Sequence, residues 1–169
     1  IYEKRNKTRI IDFGCLPQPT IPFLGASPDG ITPSGIMVEI KCPYSRKITG
    51  IPLEGYWIQV QGQLEVCGLE RCDFLECNLS EFDNEEEYLE NDNVEKGCVL
   101  EMDDGSYRYS QIGICGEELE QFYQKPENIG YIDRTFWQLL EISCVPIMRE
   151  RKWFKEKALP KLSAFWDLV

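Results

Sequence analysis

The chain has 169 residues, of which 43% are hydrophobic and 12% aromatic, a composition that builds one core of domain size and excludes a disordered polar chain. Its formal net charge of −11 is awkward for a binder of phosphate backbones unless its lysines and arginines gather on one face, and the absence of histidine removes Ser-His and Cys-His nucleophile chemistry. No apolar run approaches a membrane span and no charged-apolar-small leader opens the chain, so a soluble intracellular protein with no membrane partner is expected.

In chain order, Ile1 to Arg9 is polar and basic and leads into Ile10 and Ile11, which suit the start of a strand. Cys15 to Pro22, with Pro17, Pro19 and Pro22, reads as an irregular loop. Two strand-compatible runs, Ile21 to Ala26 and Ile36 to Lys41, flank a turn-rich stretch holding Pro28, Gly30, Pro33, Ser34 and Gly35, which predicts a hairpin with Asp29 at the end of one strand. Cys42 and Pro43 end the second strand. Tyr44 to Pro52 is a loop in which Arg46 and Lys47 either meet solvent or touch phosphate.

Leu53 to Cys67 is the best helix signal of the first half. Trp57, Val60, Leu64 and Cys67 make an apolar stripe, Gly68 is a stop, and Gln59 and Gln63 share another face next to Tyr56. Arg71 to Leu79 predicts a strand beside that helix. Ser80 to Asn93 is acidic and is either a short exposed helix or a loop. Cys98 to Met102 and Tyr107 to Ile114 flank Asp103-Asp104-Gly105, which predicts a second hairpin whose aspartates serve the turn. A brief helix over Glu117 to Gln124 precedes Pro126. A final strand from about Thr135 to Val145 fits the apolar run, with a helical start at Phe136 to Leu140 as the other reading. Glu150 to Val169 predicts an amphipathic helix kinked near Pro160. The basic residues gather there, from Arg149 to Lys161, either as the solvated side of the helix or as a nucleic-acid contact.

Eight cysteines contain no C-x-x-C, and runs such as Leu64 to Cys67 and Ile142 to Cys144 read as buried reduced thiols rather than zinc ligands or a disulfide framework. The chemistry therefore rests on carboxylates and lysine. On the strand M-V-E-I-K-C, Glu39 and Lys41 point to one face, and a charge there costs desolvation energy unless paired or bound to an ion. Asp29 and Glu39 brought close together repel, and a hard divalent cation such as magnesium or manganese relieves the repulsion. Lys41 beside it would orient a water or stabilise charge on a phosphoryl group, which suggests phosphodiester hydrolysis. For a lone Glu-x-Lys the plainer reading is a same-face salt bridge.

The order SPDG, then EIKCP, then Tyr56-x-x-Gln59-x-Gln61 resembles the PD-(D/E)xK nuclease superfamily, and within it the branch of phage lambda exonuclease and the YqaJ-type viral recombinases. The resemblance covers Phe23 to Cys77 well and implies an α/β, restriction-endonuclease-like fold, a mixed central sheet flanked by helices. It implies a metal-dependent DNA exonuclease of viral or phage recombination and repair, acting on linear double-stranded ends in an infected host cell. Asp29, Glu39 and the backbone carbonyl of Ile40 would hold Mg2+ or Mn2+, Lys41 would position the attacking water, and Gln59 would assist. The family assembles as homotrimers, and a single-strand annealing protein is an implied partner. It also has an upstream helical region with a further metal-binding glutamate and an arginine for the 5′-phosphate. No matching motif precedes the hairpin here, so residues 1–169 are expected to be a single nuclease-like domain forming the C-terminal portion of a longer family domain. The other class of function that fits is a catalytically silent nucleic-acid- or protein-binding module of the same fold.

Overall fold

The computed structural model describes residues 1–168 as an α/β protein built on a six-stranded mixed sheet of order β3-β4-β5-β8-β6-β7. The strands are β3 (Gly30–Ile31), β4 (Met37–Lys41), β5 (Arg71–Glu81), β6 (Lys96–Met102), β7 (Tyr107–Tyr109) and β8 (Tyr131–Met148). A two-stranded ribbon, β1 (Leu16–Pro17) with β2 (Gly25–Ala26), stands apart from it. The chain forms two compact units, one of Cys77–Ile142 with Ile1, the other of Tyr2–Glu76 with the segment from Ser143 onward. Among the described residues no helix is long and apolar enough to cross a membrane.

The second of these units holds the motif residues. The hairpin that carries them differs from the expected one: β4 pairs antiparallel with Gly30–Ile31, and Ile21 to Ala26 contributes only two strand residues, which pair with Leu16–Pro17. Proline explains the change. Pro22 has no N–H to donate, which keeps the start of the run out of a ladder, and the loop expected at Cys15 to Pro22 supplies the partner of Gly25–Ala26 instead. The Thr32 hydroxyl accepts from Ile36 N at 3.0 Å and closes the turn. Gly30 is required by proximity, because a Cβ there would lie 2.0 Å from Cγ2 of Ile10. Ile11 meets Ile31 in a single antiparallel bridge, which is all that forms of the strand expected at Ile10 and Ile11. Before it, Tyr2–Asn6 makes a short helix, α1, anchored by the Tyr2 hydroxyl, which donates to Asp73 Oδ2 at 2.8 Å.

From β4 the chain passes through α2 (Glu54–Cys67) to β5, which lies parallel to β4 with Glu39 opposite Phe74 and Lys41 opposite Glu76. A parallel pair needs a crossover of this kind. Val60 and Leu64 of the predicted stripe are fully buried and pack with Met37, Cys72, Phe74 and Ile147. Gly68 ends α2 at φ +68°, the left-handed cap a side chain disfavours, and gives its N–H to Leu64 O.

The first unit has its own core of Phe82, Tyr88, Leu100, Leu119, Phe122 and Phe136. Its acidic stretch is a helix, α3 (Glu85–Glu90), capped by the Asn84 side chain, which accepts from Glu87 N at 2.9 Å. Asp104 accepts from Ser106 N at 2.8 Å, so the Asp-Asp-Gly segment is turn chemistry as expected. β7 stops at Tyr109, five residues short of the expected end, because the Ser110 hydroxyl takes the Cys98 N–H at 2.8 Å in place of a backbone partner. A helix, α4 (Gly116–Tyr123), follows.

β8 is 18 residues long and absorbs Pro146. β6 pairs with β8 only over Tyr131 to Gln138, so Pro146 lies beyond that ladder and its missing N–H interrupts nothing in it. The terminal helix runs as α5 (Arg151–Trp153), a π-helical turn (Phe154–Ala158) and α6 (Leu159–Trp166). The kink expected at Pro160 is this widened turn, since proline cannot donate to the carbonyl four residues back. The last residue of the predicted helix, Val169, lies outside the described residues.

Candidate active site

The charged face of β4 is buried and fully bonded. Glu39 is 2% exposed. Its Oε1 accepts from Lys41 Nζ at 2.6 Å and from Gln59 Nε2 at 2.7 Å, and its Oε2 accepts from Gln63 Nε2 at 2.8 Å. A carboxylate out of water is tolerated only with such company. Lys41 also lies over the Tyr56 ring, 5.0 Å from its centroid, so its ammonium is held from two sides and is not turned to bulk solvent.

Asp29 immediately precedes β3, and its Oδ2 accepts from Ile40 N at 2.6 Å. Antiparallel β3 covers only Met37 and Val38 of β4, so beyond it the Asp29 carboxylate takes the place a strand neighbour would hold. The N–H and C=O of one strand residue face the same side, so the Ile40 carbonyl looks out on the side where Asp29 lies. Glu39, Lys41, Gln59 and Gln63 thus share side-chain bonds, while Asp29, itself exposed, is tied to the same strand through the Ile40 N–H.

Gln63 belongs to that set although Gln59-x-Gln61 is the pair that stands out in the sequence. It is 5% exposed, and while its amide N–H serves Glu39, its Oε1 is buried without a hydrogen-bond partner. The signal that finds it is helical spacing: Gln63 is one turn after Gln59 and therefore on the same face. Gln61 has turned elsewhere. It donates to Met148 O at 2.8 Å and accepts from Glu150 N at 2.7 Å, fastening the end of β8 to α2.

The neighbouring cations divide into tied and untied. Arg46 is drawn inward to Glu76 of β5, which is itself fully buried, and lies over the other reach of the Tyr56 ring at 5.7 Å. That carboxylate holds the guanidinium even more firmly in its charged form. Arg149 bonds Glu65 at 2.7 Å and also Glu70, and Arg151 bonds Glu70, so the first cations of the basic C-terminal run serve the protein. Lys157 and Lys161 instead line a groove that reaches Gln59 and Gln63.

The cysteines are all unbridged. Cys72, Cys77 and Cys98 are buried thiols, but of the two runs expected to bury theirs Cys67 is only half-buried and Cys144 is exposed, because it falls on the outward phase of β8. Burial pushes the Cys98 thiol up to about 11.

Along its whole length the chain resembles the uncharacterized protein R354 of Acanthamoeba polyphaga mimivirus, at 30% identity in a 224-residue alignment that takes in 99% of the chain and 40% of the relative. The crystal structure of LHK-Exo in complex with dAMP superimposes with a TM-score of 0.55 and 22% identity over 98% of the chain and 59% of that protein, which shows a shared fold. A second crystal structure, of the alkaline exonuclease LHK-Exo from Laribacter hongkongensis, aligns over 72% of the chain and 54% of its own length at 26% identity and a TM-score of 0.43. The chain thus spans well under two thirds of the length of these relatives. Residues 1–70, which hold the proline-aspartate corner, the Glu-Ile-Lys strand and the glutamines of α2, match the YqaJ-like viral recombinase domain.

Proposed function

We propose that the chain carries a metal-dependent deoxyribonuclease site that hydrolyses phosphodiester bonds of linear DNA from an end, in viral or phage recombination and repair. The observation that carries this reading is the burial of Glu39 at 2% exposure inside a ring of Lys41, Gln59 and Gln63, beside a second carboxylate, Asp29, bonded to the next peptide of the same strand. The exonuclease named in the structural comparison, and the recombinase family of residues 1–70, support the same chemistry.

The donor set fits a hard divalent cation. Two carboxylates and the Ile40 carbonyl are oxygen ligands of the kind Mg2+ or Mn2+ takes, and magnesium commonly uses one or two carboxylates and completes its shell with water and substrate phosphate. The buried, unpartnered Oε1 of Gln63 adds a further oxygen without a donor in the same neighbourhood. A bound cation would acidify water and neutralise phosphoryl charge there. Lys41, held by Glu39 and the Tyr56 ring, supplies a fixed ammonium that orients a water and meets charge developing on phosphate oxygen. Gln59 and Gln63 keep the Glu39 carboxylate in one orientation, so that its oxygens do not have to be reorganised when substrate arrives. A homotrimer around DNA, a single-strand annealing partner and an infected host cell as the setting are part of this proposal.

A second reading, a silent nucleic-acid- or protein-binding module, draws on one observation: among the described residues no group of three or more His, Cys, Asp or Glu side chains is placed to hold a metal. Linear duplex DNA with a 5′-phosphate and closed circular DNA, each incubated with magnesium and with wild type or Lys41→Ala, separate the two. Degradation of the linear DNA alone, abolished by the substitution, supports the nuclease. Intact linear DNA and indifference to metal support the module.

A further inference from the structure

We propose that the free edge of β7 is a docking strand for an extended cationic segment of a partner protein, which adds to the sheet as one more antiparallel strand. The inference goes beyond the nuclease reading and does not depend on it. The segment Cys77–Ile142 holds 17 acidic and 4 basic residues, a net of −13, whereas the remainder of the chain carries +2 of the total of −11. Two of those four cations are already engaged: Arg134 pairs with Glu85, and Lys96 is buried against the carbonyls of Tyr88 and Asn91. The unit that carries β7 therefore attracts cations and repels a phosphate backbone.

β7 is the last strand of the six-stranded sheet, so one of its sides has no strand beside it. Met102 N donates to Ser106 O at 2.8 Å and Ser110 N to Cys98 O at 2.9 Å, which leaves Arg108, midway between them, as the residue that exchanges bonds with Leu100. Tyr107 and Tyr109 consequently turn their N–H and C=O groups to the open side. Such an edge templates pairing with another chain unless a proline, a bulge or a projecting charge blunts it. β7 reads Tyr-Arg-Tyr, and its arginine folds back onto the Ser106 hydroxyl at 3.0 Å and the Tyr107 carbonyl at 3.3 Å. The edge is short but open.

The side chains beside that edge state which segment fits. Tyr107 and Tyr109 are 50% and 73% exposed and, two residues apart, lie on one face of the sheet. On the same face Tyr107 stands opposite Glu101, and Glu101 opposite Asp133 of β8. Carboxylates opposite one another on neighbouring strands repel, and among the described residues neither of these forms an ion pair. A residue added across from Tyr107 shares its face and lies two strand spacings, roughly 10 Å, from Glu101. An arginine there reaches over the Tyr107 ring, which attracts a cation, and brings its charge towards the acid pair. Tyr109, opposite Val99, gives the next side chain of that face an apolar bed for its stem. The pattern recognised is a cation at every second position of an extended chain.

The test is fluorescence anisotropy of the full chain with a labelled peptide of about nine residues in which arginine and threonine alternate. In the docked strand the arginines share the face of Tyr107, and their own N–H groups point at β7. Methylating the arginine N–H groups of the peptide backbone is expected to weaken binding about ten-fold, and methylating those of the threonines to leave it unchanged. Tyr109→Pro removes an outward N–H and spares the ladder to β6, and Glu101→Gln with Asp133→Asn removes the acid pair. Each is expected to weaken binding about ten-fold, with urea midpoints showing that the variants are folded. Absence of binding by wild type overturns the docking strand. Equal binding of the two methylated peptides, which is adhesion by charge alone, overturns it as well, and this comparison needs no variant. Unchanged binding by either folded variant has the same force, as does a dimer of the chain in sedimentation that Tyr109→Pro dissolves, since a second copy then fills the edge.

Discussion

Gln59 and Gln63, one turn apart on α2, each donate an amide hydrogen to a different oxygen of the Glu39 carboxylate, at 2.7 and 2.8 Å. A helix face thus fixes both ends of a carboxylate that belongs to a strand. Removing the Gln63 donor leaves Oε2 bare in a fully enclosed place, whereas removing Gln59 leaves Oε1 with Lys41. Gln63→Leu is therefore expected to lose about 1–3 kcal/mol of stability and Gln59→Leu about 1 kcal/mol or less, both measured by urea unfolding. Equal losses for the two would show that Lys41 does not hold Oε1 in solution.

Metal binding gives a direct measure of the proposed ligands. With magnesium at about a hundred times its dissociation constant, wild type is expected to gain about 2.7 kcal/mol of stability, since the folded state alone presents the site. Glu39→Gln and Asp29→Asn remove the ligand charge and are expected to lose that gain in the same titration. Calorimetry with manganese checks the stoichiometry. A gain retained in both variants would place the cation elsewhere.

Gln61 acts at a distance from the chemistry. Its amide joins Met148 O and Glu150 N, two backbone groups at the point where β8 turns into the terminal helix. Gln61→Ala leaves both without a partner, and a loss of about 2 kcal/mol or more is expected. Because the terminal helix forms one wall of the groove, protease cleavage after Lys152 or Lys155 is expected to accelerate in the variant. Unchanged cleavage would mean that other contacts hold the helix.

The Cys98 thiol supplies a prediction in pH. Burial raises it from 9.0 to about 11 in the folded protein, so between those values the unfolded chain has lost the proton that the folded chain keeps. Stability linked to this group is whole below about pH 9 and drains away as pH rises towards 11. Urea midpoints across that range are expected to fall less steeply in Cys98→Ala than in wild type. An identical slope would mean the thiol does not titrate as a buried group.

Much of the site is legible in the sequence because it is written in local period. The alternation of M-V-E-I-K places Glu39 and Lys41 together, the spacing of α2 places Gln59 and Gln63 together, and Gly68 ends the helix where expected. Where the expectation failed, the deciding interaction lay far along the chain. Ile21 to Ala26 has the composition of a strand, yet Pro22 and the approach of Ile10 onto Gly30 give the hairpin to a shorter segment. Arg46 reads as a solvated loop cation, but a buried carboxylate thirty residues on draws it inward.

Residue order alone determined the carboxylates, the lysine, the helix face that attends them and the likeness of the first 70 residues to a recombinase domain, because motif spacing and periodicity act over a few residues. The tertiary structure decided what those residues touch. It tied Arg149 and Arg151 to Glu65 and Glu70, left Lys157 and Lys161 along a groove, and gave Glu39 its second glutamine. Those outcomes depend on how a crossover helix and a terminal helix pack against strands remote in sequence, and packing between distant segments leaves no period for a local pattern to record.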